Sequence, residues 1–98
     1  MATAESKEGK TESTRMGAPK AMRLAAAQLA QMLRCEPGSV SALKATDNGW
    51  SADVEVVEIE RIPDTASVMA SYRVHLDEQG ELVGYERVRR YARGQIDR

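Results

Sequence analysis

The sequence predicts an α+β fold: a disordered N-terminal tail, then one amphipathic helix packed on a three- to four-stranded antiparallel meander. Three observations predict it. Ala21, Met22, Ala25, Ala26, Leu29, Met32 and Leu33 recur at helical spacing. Val68, Ala70, Tyr72, Val74 and Leu76 alternate with more polar residues over a full strand length. Asp47-Asn48-Gly49 and Asp77-Glu78-Gln79-Gly80 are hairpin-turn sequences placed between candidate strands.

Ninety-eight residues suffice for one domain. Residues 1–17 are polar and aperiodic, which predicts a disordered tail. Residues 18–93 form the expected single domain, and residues 94–98 a frayed C-terminus. Pro19 suits the first helical turn, where its missing N–H costs nothing. An alanine-rich stripe has high helix propensity and permits close approach to a sheet. Methionine and alanine on one face read as core. Pro37-Gly38 is the expected helix stop, with Arg34 near the negative end of the dipole.

Ser39 to Thr46 is the first expected strand, with Val40 and Leu43 as its apolar residues. Asn48-Gly49 accepts positive φ at low cost. Trp50, Ala52, Val54 and Val56 share one face of the second strand by alternation. Val57 and Ile59 break that pattern, so either a bulge intervenes or both faces are covered. The third strand, Val68 to Asp77, turns its apolar face toward the helix. Gly80 suits the left-handed position after a type I turn, which pairs Asp77 with Glu81 and Leu76 with Leu82. Continued without interruption, that register sets Val74 opposite Gly84, Tyr72 opposite Glu86 and Ala70 opposite Val88. Arg73 then meets Tyr85 in a cation–π contact on the face away from the helix.

The net charge of −1 favours no class of partner. No apolar run reaches the ~18 residues of a membrane span, and the N-terminal residues lack the apolar core of a secretory signal. The single cysteine, Cys35, leaves no internal disulfide to form, and cytoplasmic residence is the expectation. Charge is uneven. Asp53, Glu55, Glu58, Glu60 and Asp64 crowd the second strand and its exit. Arg87, Arg89, Arg90, Arg93 and Arg98 crowd the last segment. In one sheet these groups can neutralise one another; the sharper reading is a basic edge offered to a partner.

Candidate sites follow from residue type. His75 and Cys35 lack companions at metal-ligand or catalytic spacing. Asp77, Glu78 and Glu81 do not match a calcium loop and read as turn chemistry. Glu58 and Glu86 would flank Tyr72 at roughly 10 Å if both lay opposite it, the separation of an acid/base pair; Arg90 or Arg61 is the more natural destination for either carboxylate. Tyr85, Arg87, Arg89 and Tyr91 alternate onto one face, a pattern suited to a protein interface or to stacking on bases. The acidic second strand weighs against nucleic acid. No cofactor or metal site is expected.

Several of these residues carry a family resemblance. Gly49-Trp50, the run Val54-Glu55-Val56-Val57-Glu58 and Arg61-Ile62-Pro63-Asp64 come first. Val68, Ala70, Tyr72, Leu76-Asp77, Gly80-Glu81-Leu82, Gly84-Tyr85-Glu86-Arg87 and Arg90-Tyr91 follow in order. Together they resemble the gas vesicle protein O family over roughly Ala18 to Arg93. Ser67 and Arg73 depart from the acids common there. The resemblance implies a non-enzymatic accessory role in building gas vesicles, hollow protein shells filled with gas. It implies shell and accessory proteins as partners, and a cytoplasmic, gas vesicle associated location. The partner surface it suggests here is Tyr85, Arg87, Arg89 and Tyr91, with Arg73, Trp50 and Arg61. The alternative is a small nucleic-acid-binding regulator that uses the Tyr/Arg-rich last strand.

Overall fold

A computed structural model of the chain describes residues 16–95. Of the tail expected over 1–17, residues 1–15 lie outside the described residues, as do residues 96–98 of the fray expected over 94–98. Helix α1 spans Ala18–Leu33. Strands β1 (Ser39–Thr46), β2 (Gly49–Ile59), β3 (Val68–Asp77) and β4 (Leu82–Ala92) follow. They form one antiparallel sheet in the order β1-β2-β3-β4. A single 3₁₀ turn, Asp64–Ala66, lies between β2 and β3. The expected α+β architecture is present, with four strands.

The helix buries a narrow stripe. Ala21, Ala25 and Leu29 are each 0% exposed, four residues apart on successive turns. Met22 and Met32, expected on the core face, are instead exposed. Each sits one or more positions round from the stripe, about 100° per residue, and two alanines bring the backbone too close to the sheet for a wide contact. Gln28, which the periodicity leaves outside the stripe, has a structural task. Its amide nitrogen donates to the Gly80 carbonyl at 2.7 Å, and its amide oxygen accepts the Leu82 N–H at 2.9 Å. One side chain thereby ties the helix to the β3–β4 turn. The helix stops before Pro37-Gly38: Arg34 is left-handed (φ 59°), and the Cys35 N–H donates to Ala30.

Met16 belongs to the folded unit. Its carbonyl accepts the indole N–H of Trp50 at 3.1 Å, and its side chain packs on the core. Gly94 and Gln95 are likewise tied in, through N–H bonds to Thr65 and Ala92.

The core lies between α1 and one sheet face. Ala52, Val54 and Val56 of β2 meet Val74, Tyr72 and Ala70 of β3 there, as alternation requires. The Asp77–Gly80 turn closes as expected. Gly80 has φ 86°, its N–H donates to Asp77, and the Asp77 N–H donates to Glu81. At the β1–β2 turn the positive φ falls on Gly49, not on Asn48.

Bulges overturn the expected β3–β4 register. Leu76 pairs with Leu82, but His75 then pairs with Gly84, leaving Val83 unpaired. Val74 faces Tyr85, Arg73 faces Glu86 and Tyr72 faces Arg87. A second bulge at Val88 sets Ser71 opposite Arg89 and Ala70 opposite Arg90. Each extra residue moves the following side chains to the other face. A bulge in β2 leaves Glu58 extra and pairs Ile59 with Val68. Ile59 therefore shares the helix-side face, not the reverse face that alternation assigned to it.

Candidate functional site

The two bulges of β4 divide the aromatic and arginine residues that alternation placed on one face. Tyr85 and Arg87 pair with Val74 and Tyr72 and so share the helix-side face. Arg89 and Tyr91 pair with Ser71 and Met69 and lie on the open face. Each half is organised by one carboxylate from β2.

On the helix-side face the centre is Glu58. Its Oε2 accepts from the Tyr72 hydroxyl at 3.2 Å and from Arg87 Nη1 at 3.1 Å. Its Oε1 accepts from Arg90 Nε at 2.8 Å. Tyr85 stands beside this group, its ring tilted 49° to that of Tyr72 with centroids 6.1 Å apart. On the open face the centre is Glu55. It accepts from Ser41 Oγ at 2.6 Å, from the Ser71 hydroxyl and from the Tyr91 hydroxyl at 2.7 Å. The Arg89 guanidinium lies over the Tyr91 ring, 4.4 Å from its centroid. Glu55 joins β1, β2, β3 and β4; Glu58 joins the last three.

These clasps hold β4 where hydrophobic burial does not. No side chain of β4 is fully buried; Leu82 packs against the core cluster and Tyr85 lies against Tyr72 at its edge. A charge-assisted hydrogen bond contributes about 1.5–3 kcal/mol where it is shielded and less at the surface. The Arg87 and Arg90 side chains are half exposed, at 46% and 49%, so the lower end applies to them.

Both carboxyls titrate below the ordinary carboxylate range. Burial pushes Glu55 up, but the bonds from Ser41, Ser71 and Tyr91, with Arg89 nearby, outweigh it. Burial acts likewise on Glu58, and Arg87, Tyr72 and Arg90 outweigh it. Burial, then the neighbouring carboxylate, raises the phenols of Tyr72 and Tyr91. The folded-state values of Glu55 and Glu58 are depressed. The stability they contribute is therefore complete above the unfolded carboxyl value of about 4.3 and is lost as pH falls through the folded values. Acidification from about pH 5 to about pH 2 is expected to weaken β4 first. Tyrosine fluorescence and amide exchange report this; no change at β4 across that range would contradict it.

Other candidates take different places. The expected Arg73–Tyr85 contact does not form. Arg73 instead donates to Asp53 from Nε at 2.9 Å and from Nη2 at 3.3 Å. Glu86 pairs with Arg73 across the strands, on the face opposite Glu58, so the acid/base spacing around Tyr72 is not formed. Arg90 is the destination of Glu58, as its charge suggested; Arg61 is not. Arg61 lies exposed past the end of β2, and Trp50 at its start. About 30 Å of strand separates them, so they do not share one compact surface. His75 is exposed on the open face. Among the described residues no group of three His, Cys, Asp or Glu side chains gathers as a metal site. Cys35 is half-buried, and burial, then Glu36, pushes its thiol up. Among the described residues no helix is long and apolar enough to cross a membrane. Sequence reasoning missed the Glu55 cluster. Its signal was present, since Glu55 and Ser71 both fall on the polar face of their strands.

Comparison with known proteins supplies the context. A family described as gas vesicle synthesis protein GvpO matches residues 4–97, extending past the stretch that carries the resemblance. The chain is 53% identical to gas vesicle protein O of a Streptomyces species over 79 residues, 81% of this chain and 62% of that protein. It is 42% identical to gas vesicle protein O1 of Halobacterium salinarum over 53 residues, 54% of this chain and 44% of that protein. Gas vesicle protein O of Haloferax mediterranei is 37% identical over 59 residues, 60% of this chain and 42% of that protein. The chain thus spans 62% or less of the length of each of these relatives. No solved structure matches.

Proposed function

The chain belongs to the gas vesicle synthesis protein GvpO family, and on that premise we propose that it serves gas vesicle formation by binding. In this reading it is a non-enzymatic assembly adaptor, or chaperone-like partner, of gas vesicle structural and accessory proteins. The observation that supports a binding role is β4. It is an edge strand on which every side chain from Tyr85 to Arg90 is exposed. Its two bulge residues, Val83 and Val88, point apolar surface outward at 65% and 41% exposure. Tyrosine and arginine, the residues favoured at protein interfaces, stand on this edge beside exposed apolar valine.

The arginines favour this reading over nucleic-acid binding. Arg87 and Arg90 are on Glu58, Arg93 is on Asp64 and Arg73 is on Asp53. Phosphates would have to compete with those carboxylates. The proposed surface comprises Tyr85 and Arg87 on the helix-side face, Arg89, Tyr91 and Arg73 on the open face, and the two bulge residues Val83 and Val88. Trp50 and Arg61 lie outside it.

The test is co-purification of the tagged protein expressed with a gas vesicle gene cluster. Val83→Lys with Val88→Lys is expected to reduce captured gas vesicle proteins at least tenfold, about 1.4 kcal/mol. Neither side chain is buried, so stability should stay within about 0.5 kcal/mol of the parent. Undiminished capture would remove β4 from the surface. Capture that vanishes on nuclease treatment and falls steeply with salt would instead support the regulator reading.

A further inference from the structure

The sheet lacks a strand at one corner. β1 pairs with β2 only as far as Ser39 opposite Glu55. β2 continues to Ile59 and keeps β3 on its other side. Past Glu55 no strand pairs with β2 on the β1 side, and beyond Gly38, which stands against Val56, a groove of about 640 Å³ opens. The Glu36–Ser39 connection forms one wall, and Val57 and Met69 contribute apolar surface.

The main chain of β2 is directed into this groove. A Cβ added to Gly38 would stand 1.9 Å from the Glu55 carbonyl oxygen, so that carbonyl faces the β1 side. Strand main-chain groups repeat every second residue, so the N–H and C=O of Val57 face the same way. No strand meets them there. An unpaired strand edge is a template for another extended chain. The β4 edge differs: its two bulges and its run of charged residues oppose continuous pairing.

Charge selects the occupant. Among the described residues four carboxylates line the groove, Glu36, Glu55, Glu58 and Glu60, against Arg93; Glu58 is already held by Arg87 and Arg90. The Arg93 guanidinium is already held by Asp64 at 2.7 Å. Glu36 and Glu60 are exposed. We propose that this groove captures a short extended segment of a partner protein that carries lysine or arginine. The segment adds as a strand to β2 at Val57 and sets its basic side chains against Glu36 and Glu60. The inference concerns a surface separate from β4 and stands without the assignment made for that strand.

The experiment uses the full chain labelled with ¹⁵N and an acetylated, amidated pentapeptide of alternating lysine and valine. A pentapeptide of alternating glutamate and valine is the comparison. The lysine peptide is expected to shift amide resonances over 36–39 and 55–60 and to slow exchange of the Val57 amide at least tenfold. Glu36→Lys with Glu60→Lys should weaken its binding at least tenfold while the circular dichroism spectrum is unchanged. Val57→Pro removes the donor facing the groove without taking a bond from β3, and should abolish binding; the charge-reversal variant keeps the test decisive if this one fails to fold. Absence of binding, equal binding of the glutamate peptide, or shifts confined to β4 or to the outer edge of β1 would overturn the proposal. The Val83 and Val88 variant should bind the lysine peptide as the parent does, which separates this site from the surface on β4.

Discussion

Leu29→Ala is expected to lower the unfolding free energy by about 3 kcal/mol, within the usual range for a buried leucine. Leu29 is 0% exposed and is the largest fully buried side chain among the described residues. The rest of the buried helical stripe is alanine, too small to fill the space left. The sheet side is equally constrained: Val54, Val56 and Val74 are β-branched, with few rotamers to adopt. Total stability for a domain of this size is of the order of 5–10 kcal/mol. The variant should therefore lose a third or more of it. Urea titration should show a lower midpoint at unchanged slope. Met32→Ala, at an exposed position on the same helix, should stay within about 0.5 kcal/mol of the parent. A loss below about 1 kcal/mol for Leu29→Ala would mean that the helix is anchored elsewhere.

Glu55→Gln with Glu58→Gln is expected to cost about 2–4 kcal/mol, and to act locally. Each glutamine keeps the shape and loses the charge that its partners need. Glu58→Gln leaves Arg87 and Arg90 beside each other without their shared carboxylate. Glu55→Gln removes the charged acceptor of Ser41, Ser71 and Tyr91. The two centres serve opposite faces and stand roughly 10 Å apart along β2, so the single costs should nearly add. Amide exchange should accelerate most in β4, because that strand contributes little to the core, and least in β2 and α1. The double variant should also lose most of the acid sensitivity expected of the parent. Uniform acceleration over the whole sheet would show that the clasps serve general stability and do not hold β4 in particular.

Much of this architecture was legible in the chain itself. Helical spacing located α1, and clean alternation located β3 with its buried face. The Asp77–Gly80 turn was readable to the level of its bulge, because a left-handed glycine after a type I turn leaves one economical closure. Sequence pattern misread the width of the helix contact. Met22 and Met32 are apolar and near the stripe, but two alanines hold α1 close enough to exclude them.

The candidate site was less legible. Alternation assumes one residue for one residue across a strand pair. The chain carries no local signal at Val83 or Val88 that the count will slip, since both are ordinary strand residues. Had no bulge formed, Glu86 would stand beside Tyr72. With the slip, Arg87 stands there, where Glu58 receives it, and Arg89 with Tyr91 passes to the face of Glu55. A bulge is stable only when the partners on both faces accept the shifted side chains. Those partners come from β2, about 30 residues earlier in the chain.

By itself the sequence determined the fold class, the elements, the faces of β2 and β3 up to Val57, and the opposite charges of the second and last strands. These follow from local propensity, periodicity and turn chemistry, each of which acts over a few residues. The tertiary structure decided which carboxylate holds which arginine, which side of the sheet each tyrosine of β4 shows, and where the sheet lacks a strand. These depend on register between distant segments, and register is set jointly by every contact across the sheet.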